Sequence, residues 1–267
     1  MREQIHSEQK PALAGVSQFY DTLAGDYDTM TGFDKRFIHE KPFFNLLVQR
    51  FGITTALDAG AGTGFHSLLL GQLGAHMTAL DASKRMLDRV RAHAKDLHLK
   101  IDVIESNFQN VTHKLNKKFD AVLCMGNSLP HLLTYKELVQ SLKNFSAALN
   151  PDGILFLQLL NYDRILANRE RVQSVKEAGG VTFIRFYEFH KDFVIFNILR
   201  LKKEDERLIH TLDSIKLHPI VKAELTNALQ EAGFNDLRFH GSIALDDFHE
   251  QTSKDLVVLA LQRKAMN

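Results

Sequence analysis

The 267-residue chain has one cysteine, almost no net charge and no long apolar run. A lone thiol, Cys124, excludes an internal disulfide and fits a reducing compartment. It stands in an apolar stretch, where a buried and unreactive side chain is the simpler reading than a nucleophile. Lys and Arg number 33 against 32 Asp and Glu, a formal net charge of +1. The basic surplus that a polyanionic partner calls for is therefore missing, and no nucleic-acid partner is expected. No stretch approaches membrane-spanning length, and the first ten residues, Met1 to Lys10, lack the apolar core of a signal peptide. A cytoplasmic protein without a membrane partner or a metal is expected. Internal repeats and low-complexity segments are also absent.

What is present is concentrated in one run, Ala56-Leu57-Asp58-Ala59-Gly60-Ala61-Gly62-Thr63-Gly64-Phe65. It lies between a predicted strand, Ile53–Asp58, and a predicted apolar helix, Phe65–Leu73. Glycine lets backbone approach a ligand where a Cβ would clash. A helix start behind the turn offers free N–H groups and a favourable dipole to a carboxylate. A dinucleotide-binding turn would carry a third small residue at position 65, which here is Phe65. Another nucleotide, or a plain strand-turn-helix without ligand, stays open on this run alone.

From Ile53 to Leu160, short apolar segments alternate with amphipathic ones. Predicted strands at Ile53–Asp58, Ala75–Leu80, Ile101–Glu105, Phe119–Met125 and Ile154–Leu160 interleave with helices such as Lys84–Lys95 and Tyr135–Leu149. That rhythm predicts a doubly wound, mostly parallel sheet, with ligands beyond the strand C-termini. Val181–His190, Phe193–Lys202 and Arg207–Leu217 then read as three antiparallel strands joined by short polar breaks. They form an insertion over the ligand edge, residues 177–217, serving as a lid or as an interface in a homo-oligomer. A helix at Ile220–Ala232 and strands at Leu237–Ala244 and Leu256–Gln262 bring the large sheet to seven. The large domain is thus expected at 51–176 and 218–267, preceded by an N-terminal helical arm, 1–50. In that arm Tyr20 and Tyr27 share a face if Gly25 does not interrupt the helix.

Chemistry-bearing residues cluster where these strands end. Asp81 closes the second strand, about 20 residues past the first glycine, where a carboxylate accepts both hydroxyls of a ribose. Met86 is either a soft contact to adenine or a core residue. Asn107 and Phe108 follow the third strand, an amide for the amine edge of adenine and a ring to stack on it. Met125-Gly126-Asn127-Ser128-Leu129-Pro130-His131 follows the fourth. There Asn127 can orient an amine or carboxylate, and His131 can bond a carboxylate or act as a base.

These motifs together resemble the class I S-adenosylmethionine (SAM) methyltransferases. The likeness runs from Tyr20 to the end and is greatest to glycine/sarcosine N-methyltransferases, whose Asn-Tyr-Asp triplet is matched by Asn161-Tyr162-Asp163. The resemblance implies a Rossmann-like methyltransferase fold, SAM as methyl donor and S-adenosylhomocysteine as product. It implies cofactor contacts from Asp58, Ala59, Gly60, Gly62, Gly64, Asp81, Ala82, Met86, Asn107, Phe108, Met125 and His131. Tyr20 and Tyr27 would close over the cofactor, with Arg36 toward its carboxylate. Asn127, His131 and Tyr162 would orient a small-molecule methyl acceptor, most simply at nitrogen. A protein or RNA methyltransferase and a non-catalytic SAM-binding protein are the competing readings. One departure stands out: glycine methyltransferases carry a carboxylate-clamping arginine just before the triplet, and this chain has Leu160. Arg164 and Arg185 are the candidates to replace it.

Overall fold

Strand ends, glycine turns and capped helices repeat along the chain in a computed structural model that describes residue 13, residues 15–205 and residues 207–262. Three helices come first, α1 (Val16–Leu23), α2 (Tyr27–Thr31) and α3 (Phe33–Phe51). There follow β1 (Thr55–Ala59), α4 (Phe65–Gln72), β2 (His76–Asp81), α5 (Lys84–Asp96), β3 (Ile101–Glu105) and β4 (Phe119–Cys124). Next are α6 (Tyr135–Ala148), β5 (Leu149–Leu160) and α7 (Tyr162–Asn168). Thr134 and Glu137 form a reciprocal capping box at the start of α6.

The large sheet has seven strands in the order β10-β11-β5-β4-β1-β2-β3, with β10 (Asp236–His240) and β11 (Asp255–Leu261) running antiparallel at one edge. The other pairs are parallel. The chain order reverses between β1 and β4, so the loops after these two strands open on the same crevice. Helix α8 (Lys222–Glu231) packs beside α6 on one face, burying Leu225 and Leu229 against Leu138 and Leu142. On the other face Phe44 and Leu47 of α3 join Leu69, Leu123 and Phe156.

The second sheet is antiparallel, and it has four strands where three were expected: β6 (Val172–Ala178), β7 (Val181–Phe189), β8 (Val194–Glu204) and β9 (Arg207–Leu217). Strand β6 is an edge, half-exposed along its length, with charged and small residues interrupting any apolar face. Its sequence therefore carries no alternation to announce it. The inner face of this sheet holds the arm: Phe19 and Leu23 pack with Phe183, Ile198 and Ile215. Arg200 ties both parts together, bonding Asp26 at 2.7 Å and Asp213 at 2.8 Å. The helix does break after Leu23, yet Tyr20 and Tyr27 still meet edge to face, 6.1 Å between centroids. No described helix is long and apolar enough to cross a membrane.

Candidate active site

The floor of the site is the turn from β1 into α4. Gly60 and Gly62 there have φ of 78° and 55°. A Cβ on Gly60 would lie 2.7 Å from the Ser128 hydroxyl, so the loop after β4 closes on this turn only because that side chain is missing. Asp81 comes in from the end of β2. Its Oδ2 accepts from Gly62 N–H and its Oδ1 from Ser83 N–H, both at 2.8 Å. The two bonds fix the carboxylate plane. Burial pushes its carboxyl up to about 6, the state of an acid that wants further donors.

Asp81, Gly60, Gly62 and Ala82 line a cavity of about 340 Å³, with Asn107 and Phe108 on one side and Tyr20, Tyr27 and His131 on another. Asn107 begins a short 3₁₀ turn and accepts from Asn110 N–H at 2.9 Å. Phe108 sits edge-on against Phe145, and the carbonyl of Phe108 accepts from Asn144 Nδ2 at 2.9 Å. Both residues are thus held from the protein side.

A second, smaller cavity of about 80 Å³ lies beyond Tyr20, Tyr27 and His131, which line both. The Tyr20 hydroxyl and His131 Nε2 are 2.8 Å apart. Burial lowers the His131 pKa to about 4, so the imidazole is neutral near pH 7. Burial also raises the phenols of Tyr20 and Tyr27. Asn127 enters from the β4 loop with φ of 66°, a left-handed conformation that asparagine tolerates. Gln158 holds this loop: its carbonyl accepts from Asn127 N–H at 3.1 Å and its Oε1 from Gly126 N–H at 2.7 Å.

Other expected site residues stand behind these walls. Tyr162 is fully buried and lines neither cavity; its hydroxyl accepts from Asn127 Nδ2 at 3.0 Å, behind the wall that Asn127 gives the smaller cavity. Met86 is core, packed with Phe19 and Leu23, because the first turn of α5 points it at the arm rather than at the crevice. Met125 and Ala59 are likewise enclosed, in the two faces of the large sheet. Asp58 lies under the turn, accepting from Ser67 N–H at 3.0 Å and Ser67 hydroxyl at 2.7 Å. Gly64 caps α4, where a Cβ would press on Val90. Arg36 pairs with Glu40 at 2.7 Å and lies 4.1 Å over the Phe65 ring, outside both cavities.

Sequence reading missed most of the second sheet's contribution. Gln173, Tyr187, Phe196, Ile198 and Leu217 line the smaller cavity together with Arg185 and Leu160. Arg164 does not; it pairs with Glu170 at 3.0 Å. A signal existed for β7, since Phe183, Arg185 and Tyr187 share one face by alternation and put a cation between two buried rings. Cys124 is buried, its thiol pKa pushed up, and plays no visible part. Among the described residues no cluster of three His, Cys, Asp or Glu side chains could hold a metal ion.

The methyltransferase-domain family matches residues 56–153, which span the glycine turn, Asp81, Asn107 and the β4 loop. The chain is a SAM-dependent methyltransferase. Over 241 residues it is 27% identical to a glycine/sarcosine N-methyltransferase of Aphanothece halophytica, covering 90% of this chain and 86% of that one. A second such enzyme, from Halorhodospira halochloris, is 29% identical over 216 residues, 76% of this chain and 81% of its own. In fold it is similar to a SAM-dependent methyltransferase from Clostridium acetobutylicum ATCC 824, with a TM-score of 0.77 at 17% identity, covering 91% and 98% of the two chains. The residues of the larger cavity fit SAM: a fixed, half-buried carboxylate with lone pairs to spare, an aromatic wall and a glycine cradle that a Cβ would fill. Its volume lies at the lower end of the range of small-molecule and cofactor pockets.

Proposed function

We propose that the methyltransferase acts on a nitrogen of a small molecule held in the smaller cavity. The observation that carries this reading is the shared wall: Tyr20, Tyr27 and His131 line both cavities. A donor bound in one and an acceptor bound in the other would meet there, out of water. In this reading Asp81 takes the ribose hydroxyls and Phe108 stacks on the adenine. The described part of the expected 1–50 arm, α1 to α3, and the second sheet cover the site, residues 1–12 and 14 lying outside the described residues.

SAM, when bound, supplies a methyl carbon activated by a positively charged sulfur. Asp81, the glycine turn and Phe108 would hold it, and its methyl would pass to an amine nitrogen with the S–C electron pair left on sulfur and one proton of the methylated ammonium released to water. No base is needed to make a neutral amine nucleophilic, whereas a hydroxyl would need one. His131, with a pKa near 4, is a poor base at neutral pH, and this supports nitrogen over oxygen. Its role is then to hold the Tyr20 hydroxyl and shape the wall. Asn127, pinned through Nδ2 by Tyr162 and through Oδ1 by Leu160 N–H at 3.0 Å, presents its remaining amide N–H to the acceptor.

The small volume and the similarity to glycine/sarcosine N-methyltransferases make small amines the first acceptors to test, glycine and sarcosine among them. The test incubates the protein with methyl-labelled SAM and a panel of small amines, reading both S-adenosylhomocysteine and the methylated product by mass spectrometry. Label appearing in an amine supports the proposal. Label confined to protein or RNA, or tight SAM binding without turnover on any acceptor, overturns it.

A further inference from the structure

Across β5 from the loop after β4 stands a carboxylate that lines neither cavity, Asp255. It is the first residue of β11, half-buried, and the next five residues of that strand are buried and apolar. In the pairing of β11 with β5 it lies opposite Leu160. Its Oδ1 accepts from Gln158 Nε2 at 2.9 Å. Gln158 in turn reaches the loop twice, through Oε1 to Gly126 N–H and through its main-chain carbonyl to Asn127 N–H.

The direction of the Gln158 amide is not free. An amide side chain has a donor end and an acceptor end of nearly the same shape, and its surroundings choose between them. A carboxylate accepts and does not donate, so Asp255 takes the NH2 end and leaves Oε1 toward Gly126 N–H. Reversed, the amide would set one N–H against another at the loop and an oxygen against the Asp255 carboxylate. The turn held in this way is a demanding one. Gly126 and Asn127 have φ of 69° and 66°, two left-handed residues in succession, and the second carries a side chain. The same turn places Asn127 on the smaller cavity. We infer that Asp255 is a positioning residue for methyl transfer. It fixes which way the Gln158 amide faces, and through that amide the turn that presents Asn127 to the acceptor. The two contacts of the Asn127 side chain come from β5 and α7, through Leu160 N–H and the Tyr162 hydroxyl. Asp255 adds β11 to the support. The inference rests on the function proposed above and names a residue that acts on it without touching a reacting atom.

The test compares D255A, D255N, Q158E and the double variant Q158E/D255N with the wild type. It reads the Gly126 amide by NMR of the isotope-labelled, S-adenosylhomocysteine-loaded protein, turnover of methyl-labelled SAM on the panel of small amines, and S-adenosylhomocysteine affinity by calorimetry. D255A releases the amide, so the Gly126 proton is expected to move upfield and kcat to fall about tenfold, with KM for SAM and S-adenosylhomocysteine affinity unchanged. D255N still offers an oxygen to the NH2 group and stays within about threefold of wild type. Q158E sets two carboxylates face to face and loses at least as much as D255A. The double variant gives the acceptor to position 158 and the donor to position 255. It is expected to recover the Gly126 signal and most of the turnover lost in Q158E, whereas a merely structural aspartate would make it worse than either single change. An unmoved Gly126 amide in D255A, an equal loss of turnover and S-adenosylhomocysteine affinity there, or a double variant no better than Q158E overturns the inference. If D255A fails to fold, the comparison of Q158E with the double variant decides. If the wild type methylates no amine, the proposed function falls by itself, and the Gly126 amide still decides whether Asp255 acts on the turn.

Discussion

The hydroxyl of Tyr20 and Nε2 of His131, 111 residues apart in sequence, lie 2.8 Å from one another. That contact joins the N-terminal arm to the loop after β4 and builds the wall that both cavities share. The arm is therefore part of the site's covering and not a decoration on the large domain. Removing the Tyr20 hydroxyl while keeping its ring isolates the contact, because Phe retains the edge-on packing against Phe19 and Tyr27. Y20F is expected to raise KM for both SAM and acceptor by about three- to tenfold, the worth of roughly one hydrogen bond. Steady-state kinetics with each substrate varied checks this; unchanged KM values would show that the contact does not hold the arm.

Asp81 gives the site a pH dependence whose sign follows from its burial. Its folded carboxyl titrates near 6, above the ordinary range for aspartate. In the proposed binding mode the ionised form accepts two ribose hydroxyls, so ligand affinity is expected to be complete well above pH 6 and to be lost as the pH falls through it. S-adenosylhomocysteine affinity should be flat from pH 7 to 8 and weaken toward about tenfold per unit below 6. D81N should bind roughly a hundredfold more weakly, having lost two charge-assisted bonds, and show no such slope. Calorimetric titrations across pH 5 to 8 measure both, and a flat wild-type profile would remove Asp81 from the ribose.

In the proposed arrangement Tyr162 acts on the acceptor side at one remove. It is completely buried, burial pushes its phenol up to about 12, and its hydroxyl meets Asn127 Nδ2 at 3.0 Å. Y162F keeps the ring and its packing but leaves an amide donor of Asn127 without its partner. Turnover should fall about tenfold through misorientation of Asn127, with S-adenosylhomocysteine affinity unchanged. A parallel fall in cofactor affinity would instead point to a general loosening of the site.

The difference between Asp81 and Tyr162 also marks what sequence can and cannot reveal here. Positions at the C-terminal ends of strands follow from the alternation of strand and helix, and so Asp81, Asn107 and Asn127 could be placed at the crevice before any coordinates. Ile101–Glu105 and Arg207–Leu217 have the same bounds in sequence and structure. Direction is another matter. Met86, Met125 and Tyr162 also follow strand ends, but which way each side chain turns is set by the arm and the second sheet packing around it. Gln173 had no local signal at all, since it stands in a bulge of β6 and a bulge is defined by its partner strand. Arg185 did have one, an inward charge between two aromatic residues, legible once β7 is read for its faces.

The glycine turn offers a comparison in which space, not conformation, decides. Gly60 and Gly62 both have positive φ, so alanine at either adds backbone strain of about 1 kcal/mol. Their surroundings differ. A Cβ at Gly62 would rest 3.6 Å from the Tyr27 ring, an ordinary contact, whereas at Gly60 it would come within 2.7 Å of Ser128 Oγ, 2.9 Å of Ser128 Cβ and 3.2 Å of the Phe108 ring. Only the second substitution must push the β4 loop and the Phe108 wall apart. G60A should therefore weaken S-adenosylhomocysteine binding more than tenfold and lower the Tm by several degrees, while G62A changes the Tm by about 2 to 4 °C and affinity less. Adding S128A to G60A should recover part of the loss by removing the nearest of the clashing atoms, a non-additivity expected of residues in contact. Thermal melts and calorimetry on the four proteins measure these effects. Equal effects at the two glycines, with no recovery from S128A, would mean that φ alone governs the turn.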